Sequence, residues 1–159
     1  MQMCSQVATL PLGCSSFERL RHERRIYVDK TDIVCRLAET SGKYLLTRPH
    51  LFGKSLLIST FESLFRYGLR DFAGLKIQKL WKDDFRAYKV VRLDFSRVKV
   101  RGTFSDFCSD FENFLETEFG KIGFCRNGPK VCFFNELSNF LSTLPVSSLV
   151  LLIDDSDGL

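Results

Sequence analysis

Histidine is scarce in this chain, with His22 and His50 its two copies, and no C-x-x-C pair occurs among its six cysteines. Structural zinc sites draw on closely spaced cysteine and histidine ligands, so this pattern argues against a zinc centre. Cys4, Cys14, Cys35, Cys108, Cys125 and Cys132 are read as reduced thiols, the usual state in a reducing compartment. Cys35 and Cys108 fall on apolar faces and read as core residues. No apolar run reaches the roughly 20 residues that a membrane helix needs. Leu12-Gly13-Cys14 is similar to a lipoprotein cleavage site, but no basic stretch or long apolar run precedes it. The expectation is a cytoplasmic protein without membrane contact. Internal repeats and low-complexity segments are also lacking.

What is present suits one soluble domain. The 159 residues are 45% apolar and 26% charged, ordinary for a globular chain with a sizeable core. Sixteen phenylalanines recur mainly at periodic positions, where core packing is their default role. Charge is uneven. Residues 1–101 carry 20 Lys and Arg against 10 Asp and Glu, whereas residues 102–159 carry 3 against 9. The basic cluster Arg19, Arg21, Arg24 and Arg25 could meet nucleic acid, although a solvated helix face with internal ion pairs is the more common meaning of such a run.

The segment from Tyr44 to Leu56 ends in Gly53-Lys54-Ser55, after a short apolar run and before a helical pattern. A phosphate-binding loop needs that context. N–H groups at a helix start attract an anion, and glycine lets the backbone approach it. Lys54 would add a full charge and Ser55 a hydroxyl for Mg2+. The first glycine of the usual G-x-x-x-x-G-K-[ST] pattern is missing, with Arg48 in its place and Pro49 after it. Gly-Lys-Ser alone equally fits a strand–turn–helix with a surface lysine. Near the other end, Leu149 to Ile153 is a continuous apolar run followed by Asp154 and Asp155. It reads as a buried parallel strand whose terminal acid could share a metal with the loop. Here the plainer alternative is a strand ending in a solvated acidic turn.

Between these motifs the pattern alternates. Ser15-x-x-Glu18 suggests a capping box before a short helix. A helix is expected over 30–40, with Ile33, Val34, Leu37 and Ala38 on one face and Gly42 as its C′ residue. Residues 43–47 read as the first core strand, stopped by Pro49. A helix over 54–67 carries Leu57, Phe61, Leu64 and Phe65 at helical spacing. Residues 71–80 read as irregular with one short element. A strand over 89–95 follows, then a helix capped by Thr103 with the stripe Phe104, Phe107, Cys108, Phe111, Phe114, Leu115 and Glu118. Residues 120–129 read as a loop, 133–144 as a helix ended by Pro145, and 149–154 as the last strand. Strands alternating with helices imply an α/β fold with a mostly parallel sheet.

Five blocks carry a family resemblance. They are Pro11 to Leu20, Tyr27-Val28-Asp29-Lys30-Thr31, Leu46 to Leu56, Phe72 to Ile77, and Leu152 to Asp157. In this order they resemble the AAA-ATPase-like family, P-loop proteins often fused to a PD-(D/E)XK nuclease-like domain. The resemblance covers residues 12–159 as a partial domain behind a flexible N-terminus, residues 1–11. It implies a P-loop NTPase-like three-layer α/β/α fold that is C-terminally truncated here. It also makes Arg48-Pro49 a family trait. The implied sites are Arg48, Gly53, Lys54 and Ser55 for ATP, Ser55 and Asp154 for Mg2+, and Asp155 in the place of the family's water-activating glutamate. Two departures bear on turnover. His50 and Leu51 stand where the family has arginines, and Asp155 is one methylene shorter than glutamate. The expectation is nucleotide binding with weak or absent hydrolysis. The alternatives are a non-catalytic nucleic-acid or protein-binding module, and an inactive fragment of a larger ATPase or nuclease-like protein. A sheet short of strands would further favour self-association or pairing with a missing C-terminal half.

Overall fold

The computed structural model describes residues 9–49, 51–82, 88–98, 102–128 and 132–155. The chain divides into two compact units, Met1–Phe85 and Arg86–Leu159. Most of the expected flexible N-terminus, residues 1–8, lies outside the described residues.

The first unit is helical: α1 Phe17–His22, α2 Thr31–Glu39, α3 Lys54–Tyr67 and α4 Ile77–Leu80. Ser16, one residue later than expected, caps α1 by accepting from the Arg19 N–H at 3.3 Å. Phe17 and Leu20 are wholly buried. The buried face of α2 is Thr31, Val34 and Cys35, while Ile33 is exposed. Gly42 does not take the left-handed turn expected of a C′ residue, and α2 ends at an extended Thr40. The 54–67 helix matches its expected limits. Phe17, Val34, Cys35, Leu64, Phe72 and Ile77 form its core with Tyr27, Leu57 and Phe61 packed against them. Burying each such side chain stabilises by about 1.5–3 kcal/mol.

This core is where three of the resemblance blocks meet. Asp29 accepts from the Thr31 N–H at 2.9 Å and the Thr31 hydroxyl at 2.6 Å through Oδ1. Its Oδ2 accepts from the Lys76 N–H at 2.9 Å. The Thr31 hydroxyl oxygen accepts from the Ile77 N–H at 3.1 Å, and Ser59 of α3 accepts from the Phe17 N–H at 2.9 Å. Buried polar groups are tolerated when bonded in this way, so the Tyr-Val-Asp-Lys-Thr block is a staple between segments.

The expected strand over 43–47 is absent. These residues are exposed and outside any ladder, with Leu45 88% accessible. Strand existence depends on a hydrogen-bonded neighbour, and an apolar pattern does not supply one.

The second unit holds β1 Lys89–Asp94, α5 Phe104–Gly120, α6 Phe133–Ser142 and β2 Leu149–Asp154. The strands are parallel, with Lys89 opposite Leu149 and Asp94 opposite Asp154. Among the described residues they form a two-stranded sheet, which supports an α/β class and not yet three layers. Val91, Leu93 and Leu149 face the cluster of Leu115, Phe119, Phe124, Phe133 and Leu137 from α5, the following turn and α6. Thr103 and Asp106 close a reciprocal capping box on α5. Two expectations are corrected. Phe104 is 82% accessible and leaves the core stripe. β2 is not buried throughout, since Leu151 and Ile153 are nearly half accessible.

Candidate functional site

Gly53 sits at the N-cap of α3 with φ 75°, a left-handed conformation that costs glycine little. No side chain caps this end and no acid lies in the first turn. A Cβ at position 53 would meet no atom within 4 Å. The turn is therefore an open cradle at the positive end of a 14-residue helix. Lys54 and Ser55 follow directly, in the first turn and half-buried. Leu51 precedes them, fully exposed at φ 66°, a region uncommon for a non-glycine residue. Arg48 lies in the exposed, non-helical lead-in to the turn. The structure thus brings Gly53, Lys54 and Ser55 together on one helix start. His50, one of the two substituted arginine positions, lies outside the described residues.

Asp154 and Asp155 belong to the other unit, at the end of β2. Asp154 is 4% accessible and its Oδ2 accepts from Arg92 Nη2 at 2.8 Å. Asp155 turns into the left-handed region at φ 52°, which aspartate tolerates. In register with Asp154 lies Asp94, whose Oδ1 accepts from the Ser96 N–H and hydroxyl at 3.2 and 2.6 Å. The sequence did not single out Arg92 or Asp94. Residue type alone gave no signal, because their place beside Asp154 is set by strand register.

The donor types suit Mg2+ and a polyphosphate. Ser55 offers a hydroxyl and Asp154 a carboxylate, the hard oxygen ligands that Mg2+ takes. The glycine cradle and Lys54 suit the anion. No group of three or more His, Cys, Asp or Glu residues fit to hold a metal occurs among the described residues.

The basic cluster is largely engaged. Arg19 and Arg25 both bond Glu23, at 2.7 and 2.6 Å. The Arg21 guanidinium donates to the carbonyls of Asp71 and Ala73. Arg70 pairs with Glu18 and Asp71 at 2.6 and 3.0 Å and lies over the Tyr67 ring. An open cavity of ≈ 620 Å³ is lined by Glu18, Arg19, Arg21, Arg70, Asp71 and Ala73 among others. None of the described helices is long and apolar enough to cross a membrane.

Over 150 residues the chain is 30% identical to a protein of Azotobacter chroococcum mcd 1 named "Uncharacterized protein in vnfD 5'region", covering 93% of this chain and 29% of that protein. The chain therefore spans less than a third of that relative's length. No solved structure matches. Residues 11–158 match the AAA-ATPase-like family, described as predicted AAA-ATPase, and the chain belongs to that family.

Proposed function

We propose that this chain binds ATP with Mg2+ through a degenerate phosphate loop and hydrolyses it slowly or not at all. The observation that carries the reading is the left-handed Gly53 opening α3, with Lys54 and Ser55 in the first turn. Membership in a predicted AAA-ATPase family supports it. Backbone N–H groups at the helix start would hold a phosphate, and Lys54 would neutralise the terminal ones. Ser55 would offer its hydroxyl to Mg2+, which supplies charge neutralisation on the phosphates when bound, and Asp154 is the carboxylate that the family resemblance assigns to the metal. Arg48 would face the phosphates or brace the loop.

Slow turnover follows from three residue types in the motifs. Leu51 is apolar and His50 is not a permanent cation, so two positive charges are missing where the family resemblance places arginines. Asp155 has the shorter reach of the two acidic side chains. Removing one preorganised electrostatic group can cost about 3 kcal/mol in the transition state, while ground-state binding loses less.

Calorimetry with Mg-ATP tests the reading. Binding is expected in the micromolar to millimolar range, reduced at least about tenfold by Lys54→Ala. Gly53→Ala should also weaken it, because a side chain disfavours the left-handed φ of 75° that shapes the turn even though the added methyl meets no neighbouring atom. No binding at millimolar Mg-ATP would overturn the proposal. Brisk hydrolysis abolished by Lys54→Ala would overturn its second half alone.

A further inference from the structure

The open cavity of the first unit lies between α1 and the turn that joins α3 to α4. Arg19, Arg21 and His22 come to its wall from α1, and Arg70 from the turn. Arg70 follows α3, whereas Gly53 precedes it. At 1.5 Å per residue, about 20 Å of helix separates this cavity from the glycine turn. A guanidinium has five N–H groups, and each arginine here uses a part of them. Arg19 donates from Nε to Glu23. Arg21 donates from Nε and Nη2 to the carbonyls of Asp71 and Ala73. Arg70 donates from Nε and Nη2 to Asp71, and from Nη2 to Glu18. Among the described residues no acceptor meets Nη1 of any of the three. The His22 ring has no partner among them either.

The acids of the cavity are closer to saturation. Both Asp71 oxygens accept from Arg70, and Oδ2 accepts also from Ser63 at 2.7 Å. Glu23 is held by Arg19 and Arg25. Glu18 makes one bond, to Arg70 at 2.6 Å, and both side chains are about half accessible. Four guanidiniums therefore stand against three carboxylates, with N–H donors left over. We propose that this cavity binds the phosphate group of a small phosphate ester, and that Glu18 competes with the ligand for Arg70. A carboxylate ligand would only replace Glu18 on Arg70. A phosphate dianion adds a second charge and a third acceptor oxygen, which the unused edges of Arg19 and Arg21 can meet. The volume of ≈ 620 Å³ exceeds what phosphate alone needs, so the group arrives on a larger molecule. The proposal does not rest on the nucleotide reading, which concerns the other end of α3.

Phosphorus NMR of inorganic phosphate, titrated into the full chain carrying Lys54→Ala, is the test. That background silences the start of α3. Phosphate should bind with a Kd of about 1–10 mM, and a comparable concentration of acetate should not displace it. Adding Glu18→Gln should tighten binding about tenfold, because Arg70 is freed for a charge-assisted bond. Adding Arg19→Gln or His22→Gln should each weaken it about threefold or more. Both positions are exposed, so the fold should survive, and circular dichroism checks that it does. Complete loss of phosphate binding on Lys54→Ala would place the anion at the start of α3 and overturn the proposal. Folded Glu18→Gln titrating like its parent would overturn the competition. Equal displacement by acetate would overturn the choice of phosphate.

Discussion

Asp29 shows how one side chain can carry a sequence motif. Its two oxygens hold the start of α2 and the approach to α4 in one place. Burial pushes its pKa up, but hydrogen bonds from Thr31 and Lys76 outweigh that and hold it below the ordinary carboxylate value. Asp71 behaves alike, with bonds from Arg70 and Ser63 overcoming burial. A depressed folded pKa means that the stabilisation is present above the unfolded value, about 4. It is lost as pH falls through the folded pKa. Asp29→Ala should therefore cost about 1–3 kcal/mol at pH 7, read from urea unfolding. The difference from the unsubstituted protein should shrink in strong acid. A pH-independent difference would show that the carboxylate charge is not what matters.

At the scale of elements, α5 is held at both ends by different means. The Thr103–Asp106 box satisfies N–H groups at its exposed start. Near its end Glu118 is 4% accessible between Arg97 at 3.3 Å and Lys121 at 2.5 Å. Glu112 and Glu116 reach Arg126 at 3.6 and 3.4 Å, which lies over the Phe133 ring of α6. The acids of α5 are thus not simply a solvated face. Thr103→Ala should cost about 1 kcal/mol. Glu118→Ala should cost about 2 kcal/mol, because it removes a buried carboxylate's charge-assisted hydrogen bonds to Arg97 and Lys121, while those two accessible cations regain water. Chemical denaturation of both variants checks the ranking. Equal costs would mean that the Glu118 pairs contribute no more than an exposed cap.

For the whole molecule, the uneven charge of the sequence suggested a nucleic-acid partner on the basic side. Much of that charge is used internally. Arg19, Arg25 and Arg70 pair with acids, and Arg21 is tied to backbone carbonyls. Retention of duplex DNA should therefore be weak and lost by about 150 mM salt, with a shallow dependence of log affinity on log salt. Lys54→Ala should not change it. Steep salt dependence over many phosphates would favour the binding-module alternative.

Helix positions were legible because period and caps are local. The Gly53–Ser55 turn opening α3, the 54–67 limits and the Thr103 cap follow from neighbours within a few residues, and the apolar runs at 89–94 and 149–154 are strands because each pairs with the other. Segment 43–47 misled for the converse reason, since its apolar run carries no information about which edge, if any, it pairs with. Sequence alone also determined family membership. Only the tertiary structure decided that Asp29 is a staple, that Arg21 of α1 is tied to the carbonyls of Asp71 and Ala73, and that Asp154 is met by Arg92. Each of those depends on residues between 47 and 62 positions apart meeting in space, and long-range register is set by packing and ladder hydrogen bonds that no local pattern encodes.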